Sequence, residues 1–168
     1  MLTPVERVLI LRNIDLLKGV GPRQLFRLAS LAREVPMWKG QLVYQETDAA
    51  DALYVIAQGS VRLSAEGAPL SELKEGEAFG TWALVDDAAR GQRAEALSDG
   101  LLVALDRDDF YEFAAGDVQL LKDVITSLAR RLRELVAAKP EEARVEGEGA
   151  EEPAPASEAA PASEKKSP

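Results

Sequence analysis

The hydrophobic period of the chain changes twice, and these changes limit what it can fold into. Up to Glu34 the apolar residues follow the 3.6-residue period of amphipathic helices, and after Gly116 that period returns. Between these points they form short strand-like runs, separated by turn dipeptides such as Gln58-Gly59 and Asp99-Gly100. The clearest runs cover residues 41–44, 52–57, 60–64 and 101–105. We predict a small antiparallel barrel or sandwich flanked by helices.

Two short helices are predicted before the strands. Thr3 is a suitable N-cap, Pro4 suits the first helical position and Glu6 completes a capping box. The first helix should therefore run to about Arg12. The dipeptide Gly21-Pro22 is typical of the start of a second helix. Both helices are amphipathic and need another surface to cover their apolar faces.

A long helix is predicted over about residues 117–138. Its apolar residues recur at alternating spacings of three and four, which is typical of a helix that pairs with another helix. Leu120 and Val124 widen this stripe, so packing on the barrel and pairing with a second copy both remain open. The candidate dimer seam consists of Val118, Leu121, Ile125, Leu128, Leu132 and Leu135.

Composition changes at Pro140. Of the 29 residues from Pro140 to Pro168, 25 are Pro, Ala, Ser, Glu or Gly. Such a segment cannot bury enough apolar surface to offset the backbone entropy of ordering, about 1–2 kcal/mol per residue. We therefore expect one domain over residues 1–139, followed by a disordered acidic Pro/Ala/Glu tail over residues 140–168.

The composition also excludes whole classes of function. The chain has no His and no Cys, which excludes His-dependent triads, cysteine nucleophiles and thiolate metal sites. No metal site and no nucleophile–base pair is visible, so we expect no enzymatic activity. A net charge of −9 argues against DNA as the main partner. No apolar run reaches membrane-spanning length and no signal peptide is visible, so we expect a cytoplasmic protein without membrane contact.

The order of elements, together with specific residues, resembles the cyclic nucleotide-binding domain family of catabolite-activator-type regulators and protein kinase A regulatory subunits. The marks are residues 51–59, 75–84 and 105–110, together with Arg90. The resemblance covers about residues 10–137. It implies an α+β, mainly β fold, in which an antiparallel β-roll or jelly-roll barrel is flanked by N-terminal helices and a long C-terminal helix. The family's DNA-binding helix pair is not visible after the long helix.

The resemblance identifies residues 79–93 as the family's phosphate-binding cassette. In the family, backbone N–H groups and one Arg hold a cyclic phosphate, and here that Arg is Arg90. Gly80 would let the backbone approach the ligand, and the small Ala83 would leave room above it. The candidate ligand-binding residues are Gly80, Thr81, Trp82, Ala83, Arg90, Gly91, Gln92 and Arg93.

Three cassette positions depart from the family pattern. Thr81 stands where the family has a Glu that binds the ribose 2′-hydroxyl, Gln92 where a small Ala is preferred, and Arg93 in place of Thr or Ser. The lost charged hydrogen bond is worth roughly 1.5–3 kcal/mol, which predicts about 10- to 100-fold weaker nucleotide binding. We therefore expect cyclic AMP or cyclic GMP to bind weakly if at all.

Alternative roles remain open for two of these residues. Arg90 could instead be an exposed loop residue paired with Asp86 or Asp87. Trp82 could be a core side chain in place of a family aliphatic residue.

Two functions follow from the resemblance and its departures. The favoured hypothesis is a stand-alone, degenerate module that acts as a non-enzymatic regulatory or scaffold protein through an unidentified protein partner. The alternative is a sensor that binds a cyclic nucleotide or another phosphate ligand through Arg90 and the cassette. Homodimerisation through the C-terminal helix is compatible with both.

Overall fold

The computed structural model describes residues 1–137. In this part of the chain, short 3₁₀ helices at Asp15–Leu17 and Thr81–Leu84 accompany the regular elements. The α-helices are α1 (Pro4–Arg12), α2 (Pro22–Leu31), α3 (Arg107–Ala115) and α4 (Val118–Ala137). The strands are β1 (Arg33–Met37), β2 (Leu42–Tyr44), β3 (Ala52–Gln58), β4 (Val61–Ala65), β5 (Ala68–Leu73), β6 (Ala78–Phe79), β7 (Arg93–Ala96) and β8 (Gly100–Asp106).

The strands form two antiparallel four-stranded sheets. One has the order β1-β8-β3-β6 and the other the order β2-β7-β4-β5. Strands β3 and β8, far apart in sequence, pair at the centre of the first sheet, with Leu53 opposite Leu105 and Tyr54 opposite Ala104. The predicted α+β, mainly β fold of a β-roll with flanking helices is confirmed.

The first sheet is buried on both faces, which explains why β3 and β8 are continuously apolar. Leu53 and Val55 of β3 face a core that includes the helices, whereas Tyr54 and Ile56 face the core between the two sheets. Strand β8 alternates in the same way. A sheet covered on both sides needs apolar residues at successive positions rather than at every second one.

The N-terminal helix start is confirmed in detail. The amide of Glu6 donates to Thr3 Oγ1 at 3.3 Å, and the amide of Thr3 donates to Glu6 Oε2 at 2.7 Å, which completes the capping box. The second helix starts at Pro22, as predicted. The 3₁₀ helix between them was not predicted, and it buries Leu16 and Leu17 under α4.

Helix α4 presents two different faces. Leu120, Val124 and Ser127 are buried against the domain. Within the candidate dimer seam, Leu128 is half-buried and packs on the helical core. The other five seam residues are exposed: Val118, Leu121, Ile125, Leu132 and Leu135. The same helix therefore packs on the domain and also leaves an apolar stripe uncovered.

The described residues end at Ala137. The predicted boundary at residue 139 and the predicted tail over residues 140–168 lie outside them. None of the described helices is long and apolar enough to cross a membrane.

Candidate functional site

The cassette begins where β6 meets β3 at the edge of the first sheet. Gly80 follows β6 with a left-handed φ of +68°, and the 3₁₀ helix Thr81–Leu84 starts directly after it. A Cβ atom on Gly80 would lie 2.5 Å from Arg90 Nη1 and 3.2 Å from the carbonyl oxygen of Ala52. Both the backbone conformation and the close approach of Arg90 therefore require glycine at this position.

Arg90 is buried, with 6% of its surface exposed. Its Nη2 donates to the carbonyl oxygen of Ala52 at 2.6 Å and to Asp51 Oδ1 at 3.0 Å, and its Nη1 donates to the carbonyl oxygen of Gly80 at 3.3 Å. The alternative of an exposed Arg90 paired with Asp86 or Asp87 is wrong, because acceptors on β3 and beside it draw the guanidinium inward. Asp87 instead pairs with Arg107.

Two tyrosine rings lie against the Arg90 guanidinium, and a phenylalanine ring packs on both of them. Tyr44, Tyr54 and Phe79 pack together with ring centroids 5.4 to 6.1 Å apart. The Arg90 guanidinium carbon lies 4.2 Å from the Tyr44 ring centroid and 5.8 Å from that of Tyr54, within cation–π distance. Burial raises the pKa of Tyr44 to about 12 despite the opposing charge of Arg90, so this phenol stays neutral at physiological pH.

A cavity of about 490 Å³ opens beside Arg90. Six of the eight predicted ligand-binding residues line it: Gly80, Trp82, Ala83, Arg90, Gly91 and Gln92. Tyr44, Ala50 and Asp86 complete much of the wall. Arg90 Nε is buried and has no hydrogen-bond partner among the described residues. Arg90 is therefore a fixed cation on the wall of this cavity.

The other two predicted residues lie elsewhere. Thr81 lines a separate cavity of about 400 Å³ between the cassette, the first 3₁₀ helix and α4, where Leu128 and Arg131 also lie. Arg131 donates to Asp15 at 2.5 Å across this cavity. Arg93 is exposed and pairs with Glu95 at 3.0 Å. Its outward direction follows from the alternation of β7, which points Ala94 and Ala96 inward.

Trp82 does not occupy the core. It is 67% exposed, so the interpretation of Trp82 as a buried replacement for an aliphatic residue is wrong. Its 3₁₀ helix buries Ala83 and Leu84 and turns Trp82 toward solvent. Trp82 borders both the Arg90 cavity and the α4 cavity.

Sequence reasoning missed the surroundings of Arg90. Tyr44 and Tyr54 were assigned only to strands, and Asp51 was noted only as part of a family mark. The available signal was the placement of aromatic residues at inward positions of short strands that end near the cassette. Among residues 1–137, no group of three or more His, Cys, Asp or Glu side chains is arranged to hold a metal ion.

This chain is similar in sequence to several known proteins. The family model of the cyclic nucleotide-binding domain matches residues 34–117. The cGMP-dependent protein kinase egl-4 of Caenorhabditis elegans is 34% identical over 96 residues, which are 57% of this chain and 12% of the kinase. The Cyclic AMP receptor protein of Thermus thermophilus is 30% identical over 129 residues, 74% of this chain and 60% of that protein. The chain thus spans less than two thirds of the length of each of these relatives.

Solved structures show the same fold. The N-terminal domain of a transcriptional regulator from Streptomyces coelicolor A3(2) superposes with a TM-score of 0.72 at 26% identity, over 79% of this chain and 98% of that one. The Catabolite Activator Protein of Thermus thermophilus gives a TM-score of 0.60 at 30% identity, over 74% of this chain and 61% of that one.

Proposed function

Because the chain belongs to the cyclic nucleotide-binding domain family, we propose that it is a regulatory module that binds a phosphate ligand at Arg90. The observation that carries this proposal is the buried Arg90 guanidinium, whose Nε has no described partner beside a cavity of about 490 Å³. In this proposal the chain is a non-enzymatic, cytoplasmic protein whose partners do not include DNA.

The surroundings of Arg90 suit an anion better than a neutral ligand. Within residues 1–137, Asp51 is the one carboxylate bonded to Arg90, and the Asp51 side chain is 69% exposed, so water screens this pair. The other two acceptors are backbone carbonyls, which are neutral. A phosphate in the cavity beside Arg90 would bring a full negative charge to this cation, and charge-assisted pairing with phosphate is an interaction that favours Arg.

The test is isothermal titration calorimetry of the full chain with cyclic AMP and with cyclic GMP. We expect saturable binding in the wild type, loss of binding in Arg90→Ala, and wild-type binding in Arg93→Ala. Arg93 is the matched control because it lies three residues away, is exposed and does not line the cavity.

Two results would contradict the proposal. One is an absence of heat up to millimolar nucleotide in the wild type. The other is unchanged affinity in Arg90→Ala, with folding of that variant verified by circular dichroism.

A second candidate function is regulation through protein contact alone, with the cassette degenerate. The observation that favours it is the exposed apolar stripe of α4, in which Ile125 and Leu132 are 65% and 63% exposed. We propose a second copy of this chain as one occupant, because the three–four spacing of the seam is the pattern of paired helices. A different protein partner is the other occupant this candidate allows.

The oligomeric state tests the seam. Ile125→Glu and Leu132→Glu remove exposed apolar side chains, whereas Leu128→Glu would also disturb the core that Leu128 helps to cover. Thr126→Glu is the matched control, because Thr126 is exposed on the same helix and outside the seam. We expect a dimer by analytical ultracentrifugation in the wild type and in Thr126→Glu, and a monomer in the seam variants. A wild-type monomer, or a dimer that tolerates Leu132→Glu, would contradict homodimerisation through α4.

A further inference from the structure

We infer that the α4 cavity binds a small amphipathic anion, in which a carboxylate is attached to an apolar chain. The α4 cavity is the space of about 400 Å³ between the cassette, the first 3₁₀ helix and α4. Arg90 does not line it, so this inference goes beyond the proposed phosphate site and does not depend on it.

Apolar side chains line the α4 cavity on several sides. They come from the first 3₁₀ helix and the residue before it, from β5 and β6, from the residue after the second 3₁₀ helix and from α4. The six aliphatic residues are Ile14, Leu16, Leu73, Ala78, Val85 and Leu128. The cavity volume lies within the range of small-molecule sites, about 300–1,000 Å³. An apolar chain that packs here gains about fourfold in affinity for each methylene group that leaves water.

The charges where α4 meets the first 3₁₀ helix are unbalanced. The Asp15 carboxylate accepts hydrogen bonds from Lys18 and from Arg131. The bond from Lys18 lowers the pKa of Asp15. The charges of Arg131 and Arg130 also lower this pKa, so both cations lie close to the same carboxylate. Three cations near Asp15 leave a surplus of positive charge, which favours an anion at this end of the cavity.

Arg131 has further donors to offer such an anion. Among residues 1–137 only its Nη1 donates, to Asp15, whereas a guanidinium carries five N–H donors. Its planar fork can hold a carboxylate through two parallel bonds. The second carboxylate on the wall, Glu77, accepts from the backbone amide of Lys74 at 2.7 Å, which ties it to the turn between β5 and β6. A ligand with its carboxylate at Arg131 and its chain on the aliphatic wall would match both the charge and the lining of the cavity.

Trp82 can report binding because it borders the α4 cavity. The chain contains two Trp residues, so in Trp38→Phe the tryptophan fluorescence comes from Trp82. We would titrate the full chain carrying Trp38→Phe with octanoate and butyrate, which differ in chain length. Octanol and octylammonium are the neutral and the cationic counterparts of octanoate.

Two substitutions in this background test the position of the site. Arg131→Gln removes the charge of the guanidinium, and Val85→Phe fills part of the cavity. Neither residue lines the Arg90 cavity, so these variants distinguish the two cavities. Arg133→Gln and Val5→Phe are the matched controls, because both residues are exposed and neither lines the α4 cavity.

We expect octanoate to shift the Trp82 emission saturably. It should bind more tightly than butyrate by about fourfold for each additional methylene that is buried, and more tightly than octanol or octylammonium. Arg131→Gln should weaken octanoate binding by about 1.5- to 5-fold, because Arg131 is 56% exposed and water screens its charge. Val85→Phe should abolish saturation, and the two control variants should bind octanoate like the Trp38→Phe chain.

Three results would overturn this inference. The first is no saturable change at millimolar octanoate. The second is equal affinity for octanoate and octylammonium, because the site would then not select an anion. The third is octanoate binding that neither Val85→Phe nor Arg131→Gln weakens, because the ligand would then lie outside the α4 cavity. Circular dichroism verifies the folding of each variant, and the cyclic nucleotide titration of Arg90→Ala tests the phosphate site separately.

Discussion

Replacing Gly80 with alanine should disturb the cassette, and the same replacement at Gly76 is the control. Gly80 and Gly76 both have left-handed φ angles, +68° and +84°. An alanine in this conformation costs roughly 1–2 kcal/mol of folding stability. Around Gly76 no heavy atom lies within 4 Å of an added Cβ, whereas at Gly80 that atom would lie 2.5 Å from Arg90 Nη1. Gly80→Ala should therefore displace Arg90, and Gly76→Ala should not.

The displacement of Arg90 lowers the free energy of unfolding of Gly80→Ala further. The difference in stability between Gly80→Ala and Gly76→Ala measures this additional loss. Arg90 Nη1 would lose its 3.3 Å hydrogen bond to the Gly80 carbonyl oxygen. A bond from a charged donor is worth about 1.5–3 kcal/mol, and the length of this one favours the lower end of that range. Alanine also makes the unfolded chain less flexible, which raises stability by a similar amount in both variants, so this contribution cancels in the difference. Urea unfolding should show Gly80→Ala less stable than Gly76→Ala by about 1–2 kcal/mol. Equal losses in the two variants would refute the reasoning.

Three further predictions concern stability. Because burial raises the pKa of Tyr44 to about 12 from 10.0, the unfolded chain deprotonates first as pH rises, so stability should fall between pH 10 and 12. Tyr44→Phe should flatten that fall in urea midpoints measured across the window. A hydrogen bond from the Leu2 amide is the main cause that lowers the pKa of Glu34, so this carboxylate's contribution should be lost as pH falls below 4.5. Glu34→Gln should weaken the acid dependence of the melting temperature. Leu120→Ala should cost about 2–5 kcal/mol in urea unfolding, and Leu121→Ala clearly less, since Leu120 is fully buried and Leu121 is 39% exposed.

The strands that could be predicted from sequence differ physically from those that could not. Strands β3 and β8 form the buried centre of a sheet, so their apolar runs are strong signals. Strand β5 has five exposed residues out of six, and the edge strand β1 contains Pro36. Strand β6 has only two residues. Each of these depends on its pairing partner rather than on its own pattern, so propensity and periodicity do not identify it.

The candidate site also has a part that could be predicted from the sequence and a part that could not. The position of Arg90 could be predicted because the cassette is local in sequence. The acceptors that bury it could not, because Asp51 and Ala52 lie 39 and 38 residues away along the chain. The exposure of Trp82 could not be predicted from the sequence either, because an aromatic residue between apolar neighbours is compatible with a core position as well as with a surface position. Whether such a residue faces inward depends on the turn that follows Gly80.

Arg90 has two roles that a single substitution cannot separate. Its hydrogen bonds to Ala52 and Gly80 tie the cassette to β3, so a degenerate domain would need it as much as a sensor would. Loss of stability in Arg90→Ala is therefore expected under both functions. Trp82 contributes little to the described packing, because most of its surface is exposed. If ligand affinity falls in Trp82→Leu while the melting temperature stays constant, Trp82 takes part in ligand binding. A purely structural role of the cassette would not produce that result.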